Sequence, residues 1–206
     1  MSQKLSLSLL GLLLLSSSLD AQNPTLRQLA VETQGHIGVS TLGCGPDPTL
    51  QSIVSGKDVA IEGTVLSKRG YATADDREIF TDYGFAVSQV ILQRKLLSTA
   101  RPGPPPPMIF KTRGGSVVFD GFPLTSTDSS NGRHVTLQVG HHVVIFGRYD
   151  STDGKWIFGP WDVFYVTNGV VVNELPRDEG VDQALPSWWQ LPVFAATVRD
   201  YASRTR

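Results

Sequence analysis

Through the middle of the chain apolar residues recur at every second position, and a period of two puts one face of a strand into a core. In DVAIEGTVL, residues 58–66, Val59, Ile61 and Val65 alternate with Ala60, Glu62 and Thr64, so one face is expected buried and the other wet. Gly63 interrupts this strand and predicts a bulge or a sharp coil. In REIFTDYGFAVSQVILQ, residues 77–93, Thr81, Tyr83, Phe85 and Val87 share a face. Near Gln89 the alternation shifts to Val90 and Leu92, marking a second bulge or a strand end. MIFKTRGG and SVVFDG follow as short strands broken at Gly114-Gly115, and HVTLQV puts Val135, Leu137 and Val139 on one face. Residues 140–172 then hold three strand-like runs separated by Asp153-Gly154 and Asn168-Gly169, dipeptides that favour two-residue hairpin turns. Earlier strands are expected to pair with this meander.

The period changes after Pro192. Phe194, Val198 and Tyr201, flanked by Ala195 and Ala202, fall at i, i+4 and i+7 on one stripe of an amphipathic C-terminal helix. Arg204 and Arg206 suit the negative end of its dipole, and Trp188 and Trp189 are placed to pin it to the sheet. Near the other end, Asn23-Pro24 and Asp47-Pro48 have the form of an N-cap followed by proline. The second predicts a short helix, TLQSIVS, that stops at Gly56 and turns Leu50, Ile53 and Val54 towards the sheet. Between the two, the glycine-rich GHIGVSTLGCG reads as a loop. So do residues 126–133, with Asn131-Gly132 as their turn. The run TARPGPPPP at 99–107 reads as a stiff connector, because consecutive prolines lack the amide donors a central strand needs.

Many short strands, Gly-rich turns and helices confined to the ends predict a mainly β fold: a single antiparallel OB-like β-barrel, with a β-sandwich as the alternative. The barrel is expected over 48–174, preceded at 22–47 by a loop or short helix and followed at 175–206 by a linker and the C-terminal helix packed on the barrel. Residues 1–21 read as a secretory signal peptide, with Lys4 before a Leu-rich run and small residues after it. The run is about half the ~20 residues that span a bilayer, so cleavage after Ala21 or Ser18 is expected to leave no integral membrane segment. The expected location is periplasmic or extracellular. Cys44 is the only cysteine and has no disulfide partner within the chain, so it reads as a small loop residue and stability rests on the core. With 18 Lys+Arg against 19 Asp+Glu there is no overall field to attract nucleic acid.

DVAIEGTV, TDYGFAVSQV, the double glycine, GHHVVIFGRY and GPWDVFYVTNG together resemble secreted bacterial proteins of unknown function. In that group a GTV strand precedes a T-x-Y-x-F-x-V strand, a double glycine, a G-E-x-x-x-x-F strand and a G-x-F-x-V hairpin. Their topology is similar to the OB-fold barrel of the netrin module and of tissue inhibitors of metalloproteinases. The resemblance spans residues 49–173 and implies that barrel here. His141 stands where the group has Glu, and the cysteines that clamp the animal inhibitors are absent, so the resemblance does not imply protease inhibition.

For zinc, His141 and His142 are adjacent, with His134 in reach of the same hairpin. Neighbours along a strand point to opposite faces, however, and no Cys or carboxylate lies at ligand spacing, so neither metal nor cofactor is expected. Asp75-Asp76 and Asp178-Glu179 sit in polar, turn-like stretches where burial would not raise a pKa, and no nucleophile elbow or metalloprotease helix occurs. Tyr149, Trp156, Trp161 and Tyr165 are the candidate binding residues: on an exposed face they would stack on sugars or anchor a protein, and otherwise they fill the barrel. The expected function is a non-catalytic exported binding domain for a protein partner in the envelope or outside the cell. It would act through rim loops at 70–76, the proline loop and 126–133. The alternatives are polysaccharide binding through the meander aromatics and hydrolysis at a site assembled from distant residues.

Overall fold

The computed structural model describes residues 24–36, 38–43, 48–95, 107–130, 133–135, 137–172 and 188–205. The leader, Cys44, the proline run other than Pro107, the Asn131-Gly132 turn and the linker with Asp178 and Glu179 lie outside them. In chain order the first elements are α1 (Leu26–Glu32), β1 (Gly38–Gly43), α2 (Leu50–Ser55), β2 (Val59–Ala72), β3 (Ile79–Gln93), β4 (Met108–Arg113) and β5 (Gly115–Phe119). β6 (Phe122–Ser130), β7 (Arg133–His134), β8 (His142–Asp150), β9 (Lys155–Ile157), β10 (Val163–Thr167), β11 (Val170–Val172), β12 (Trp188–Gln190) and α3 (Leu191–Arg204) complete it. The molecule is mainly β, with short helices towards both ends as the sequence predicts.

Five strands close on themselves. β2 pairs with β3, β3 with β4, β4 with β9, β9 with β8, and β8 returns to β2. Only the β4–β9 contact is parallel. β8 makes closure possible because its second edge is divided: Val143, Val144 and Ile145 pair with β10, whereas Arg148, Tyr149 and Asp150 pair with β9. The Asn168-Gly169 turn forms as expected, with φ of 52° and 74°, whereas Asp153-Gly154 ends a four-residue connection, 151–154, between the paired Asp150 and Lys155. The order of the meander differs from expectation, since β9 leaves to close the ring and β10 comes back to β8. Register shifts bend the long β2–β3 hairpin into the ring, one of them between Glu62 and Gly63. A Cβ at Gly63 would stand 2.6 Å from the carbonyl oxygen of Ala86, so glycine is what allows the strands to approach there.

The inward positions of these strands make the ring's core: Val59, Ile61, Tyr83, Phe85, Phe110, Ile145 and Trp156 among them. Phe110 is central, edge-on to Phe85 at 5.3 Å and to Phe158 at 6.4 Å. Leu137 is fully buried in the same core. The strand expected over HVTLQV does not form beyond the two-residue β7, and Val139 is 62% exposed. Here the chain turns instead, with His141 N–H donating to the Gln138 carbonyl and Gly140 N–H to that of Val65, so Leu137 is turned into the ring.

A second core lies outside the ring, where α2 and α3 cover Ala60, Leu92, Val144, Phe146 and Phe164. Ala60 is therefore buried where the alternation predicts a wet face, because the helices occupy that side. At the β3 bulge Ile91 is buried and Val90 is exposed, the reverse of the expected pattern, because Ile91 is the extra residue between the paired Val90 and Leu92. α3 buries Phe194, Ala195, Val198 and Ala202, and Trp189 sits edge-on to Phe194 at 5.5 Å.

The feature the sequence does not disclose is a second sheet, in which β6 pairs with β1 in parallel and with β5 and β7 antiparallel. Both GHIGVSTLGCG and residues 126–133 contribute strand where loops are expected. Their polar residues carry no alternation, but β6 bonds neighbours on both edges, and Thr and Ser tolerate that setting. Asp120-Gly121, with φ of 51° and 90°, is the two-residue turn joining β5 to β6. α1 covers this sheet with Leu26 and Ala30, which pack with Ile79, Phe119 and Leu124. Its N-cap is Thr25, in a capping box with Gln28, rather than Asn23. Arg27 ties the helix to Asp76 at 2.7 Å and to Asp120 at 3.0 Å.

Candidate functional site

The strand period that sends Phe110 into the ring sends Lys111 out, and the β3–β4 register places Asp82 opposite Lys111 and Phe80 opposite Arg113. On β8 and β9, Arg148 faces Ile157 and Asp150 faces Lys155. Of these outward residues, Phe80, Lys111, Arg113, Arg148, Asp150 and Ile157 line a cleft of about 560 Å³, while Asp82 and Lys155 lie beside it. Lys57 after α2 and Asp128 of β6 complete its walls. A narrower crevice of about 180 Å³ adjoins it at Arg113 and Asp128, and its lining includes Lys68, His134, Thr125, Ser126 and Thr127.

Lys111 is buried, and its Nζ donates to Asp150 and to Asp153, each at 2.7 Å. Burial disfavours its charge, but the two bonds outweigh burial and raise its pKa. The same contact, with the Thr152 N–H, pushes the Asp150 carboxyl down to about 2. Beside it, Lys155 Nζ donates to Asp82 at 2.6 Å and lies 4.9 Å above the Tyr71 ring. Burial again opposes the charge of Lys155, and the Asp82 bond prevails and raises the pKa. Burial, then the Asp82 charge, raises the Tyr71 phenol. Asp82 Oδ1 is buried with no hydrogen-bond partner among the described residues. Tyr71 stacks on Phe80 with 6.1 Å between centroids. At the far wall Lys57 bonds Asp162, which also accepts the Gly159 N–H at 2.7 Å.

Asp128 differs from Asp150: burial raises its pKa, and the Arg113 charge opposes that only in part. The face is thus a set of fixed charges. Both lysines are held protonated, so neither is a nucleophile or a base at neutral pH, and what the arrangement offers is ionic recognition.

The four aromatics singled out in the sequence do not share one surface. Trp156 is buried in the ring core, with Tyr149 edge-on to it at 5.1 Å and under Lys95. Tyr165 packs at the margin of that core, edge-on to His141, and Trp161 packs against the helix-covered core. His142 Nε2 is 3.0 Å from Glu62 Oε1, and His141 Nδ1 accepts the Gln138 N–H. No three potential ligands gather for a metal among the described residues. Asp75 and Asp76 sit in the β2–β3 turn, where the Thr73 hydroxyl lowers the Asp75 pKa and Asp76 holds Arg27. Of the expected rim, residues 126–128 do line the site, as part of β6 rather than of a loop.

Lys111, Asp150, Lys155 and Asp82 are the residues that sequence reasoning missed. Their signal is present as the polar half of the alternation, in IFKTR of β4 and FTDYG of β3. Which polar positions share a face depends on pairing, and on the unanticipated return of β9 to β4. No protein-family model matches this chain, and no curated protein matches it.

Proposed function

We propose that the chain is an exported, non-catalytic binding domain built on an OB-like barrel, and that it docks a protein partner in the cleft outside β3 and β4. The observation that carries this reading is the position of the cleft. In a ring whose strands follow in the order β2, β3, β4, β9, β8, it lies on the outer face of the second and third strands and near the β8–β9 turn. That face and that turn are where five-stranded OB barrels hold their ligands. The OB-like topology implied by the netrin-type resemblance is supported by the same ring order. The Lys4-led apolar run supports export.

The test is photo-crosslinking in cells from a probe placed at Ile157, in the cleft, and at Val193, on exposed α3. One reproducible protein captured from Ile157 and not from Val193 is expected. No capture, or equal capture from both, overturns the reading.

A second reading, hydrolysis of a glycoside, has one observation in its favour. Asp128 and Asp150 line one cleft with pKa values pushed in opposite directions, the pattern of an acid and its partner carboxylate. Against it, Asp150 is engaged by Lys111 and by the Thr152 N–H. Polysaccharide cleavage abolished by Asp128→Asn would favour this second reading over the first.

A further inference from the structure

The cleft and its adjoining crevice share Arg113 and Asp128 and together form a groove, and each of the two also carries a cation that no carboxylate among the described residues answers. Lys68 lines only the crevice and Arg148 only the cleft, while Arg113 and Asp128 stand where the two meet. Lys68 has the Tyr83 ring at 5.8 Å for a neighbour, and Arg148 is exposed. Arg113 meets Glu78 at 3.2 Å, but their side chains are 59% and 45% exposed, and a pair so hydrated is readily exchanged. By contrast, Lys57 and Lys111 are held by nearby carboxylates. One wall is β6, through Thr125, Ser126 and Thr127, and the Thr125 hydroxyl is bonded to that of Ser116 at 2.8 Å. The Phe80 ring in the cleft offers no free face to a sugar, since it is stacked by Tyr71 and has Lys111 at 5.5 Å.

Resting on the reading of this cleft as a protein-docking site, we propose that the groove takes an extended acidic segment of the partner. Its Asp or Glu carboxylates would engage Arg148, Arg113 and Lys68 along the length of the groove. Asp128 is the one carboxylate at the junction that opposes an anion, and burial disfavours its charge.

The probe is a fluorescein-labelled oligoglutamate peptide titrated into the purified chain and followed by anisotropy. Saturable binding is expected, weakening severalfold as salt rises because the contacts are ionic. Arg148→Glu and Lys68→Glu are each expected to weaken it roughly tenfold without changing the melting temperature, and Val193→Glu to leave it unchanged. Should either reversal unfold the protein, Arg148→Ala and Lys68→Ala replace it, with a smaller loss in the same direction. Absence of saturable binding, binding indifferent to both reversals, or binding of oligogalacturonate in place of the peptide would each overturn the proposal. If the peptide fails while the Ile157 probe still captures its protein, the acidic segment is wrong and the docking face stands. If that capture fails as well, both fall.

Discussion

The inside and the outside of the five-stranded ring are made by the same strands and obey opposite rules. Inside, Phe85, Phe110 and Phe146's neighbour Ile145 are fully buried, and shape decides what fits. Outside, one residue along β4, the buried Lys111 is tolerated because two aspartates receive its protons. The first surface is stabilised by removal from water, and the second is organised by charge. The difference teaches that the ring is a scaffold whose inward residues fix the strands and whose outward residues inherit precise spacing from them.

The comparison breaks most deeply from within. Phe110→Ala removes the ring that Phe85 and Phe158 pack against, and a loss of about 3–5 kcal/mol is expected in urea unfolding. A loss under about 1 kcal/mol there would mean the ring has no tightly packed interior. Overfilling the same space should cost less. At Gly147 a Cβ would lie 2.7 Å from Phe110 and 3.0 Å from Trp156 Cβ, so Gly147→Ala is expected to cost about 1–3 kcal/mol.

On the outer face Lys111→Met should lower the melting temperature by a few degrees, because Asp150 and Asp153 lose their partner but remain partly hydrated. This deficit has a pH signature. Asp150 has a depressed folded-state pKa, so its contribution is present above the ordinary value of 3.8 and is lost as pH falls towards about 2. The wild-type and Lys111→Met melting temperatures should therefore converge over that window, and curves that stay parallel would remove the ion pair from the account.

The smallest effect has the opposite sign. Burial raises the Asp128 pKa, so its ionised form is less favourable in the folded chain than in the unfolded one. Asp128→Asn is expected to raise the melting temperature slightly at neutral pH. That gain should vanish below the ordinary carboxyl value of 3.8, where the carboxyl is protonated in both states.

Local chemistry is what the sequence by itself determined. The period of two in β2, β3 and β8, the turns at Asp153-Gly154 and Asn168-Gly169, the stop at Gly56 and the stripe of Phe194, Val198 and Ala202 are all visible within a few residues of one another. A hairpin turn or an amphipathic face is set by neighbours in the chain, so it can be read there. Tertiary structure alone decided that β9, while still paired to β8, also closes on β4, that Leu137 enters the ring while Val139 does not, and that GVSTLG and β6 pair as strands. Polar strands lack alternation, and their stability lies in backbone bonds to partners remote in sequence. The candidate site shares that property. Lys111, Asp150 and Asp153 are ordinary charged residues in sequence, and Lys111 meets the two aspartates only because β9, which follows them in the chain, lies beside β4.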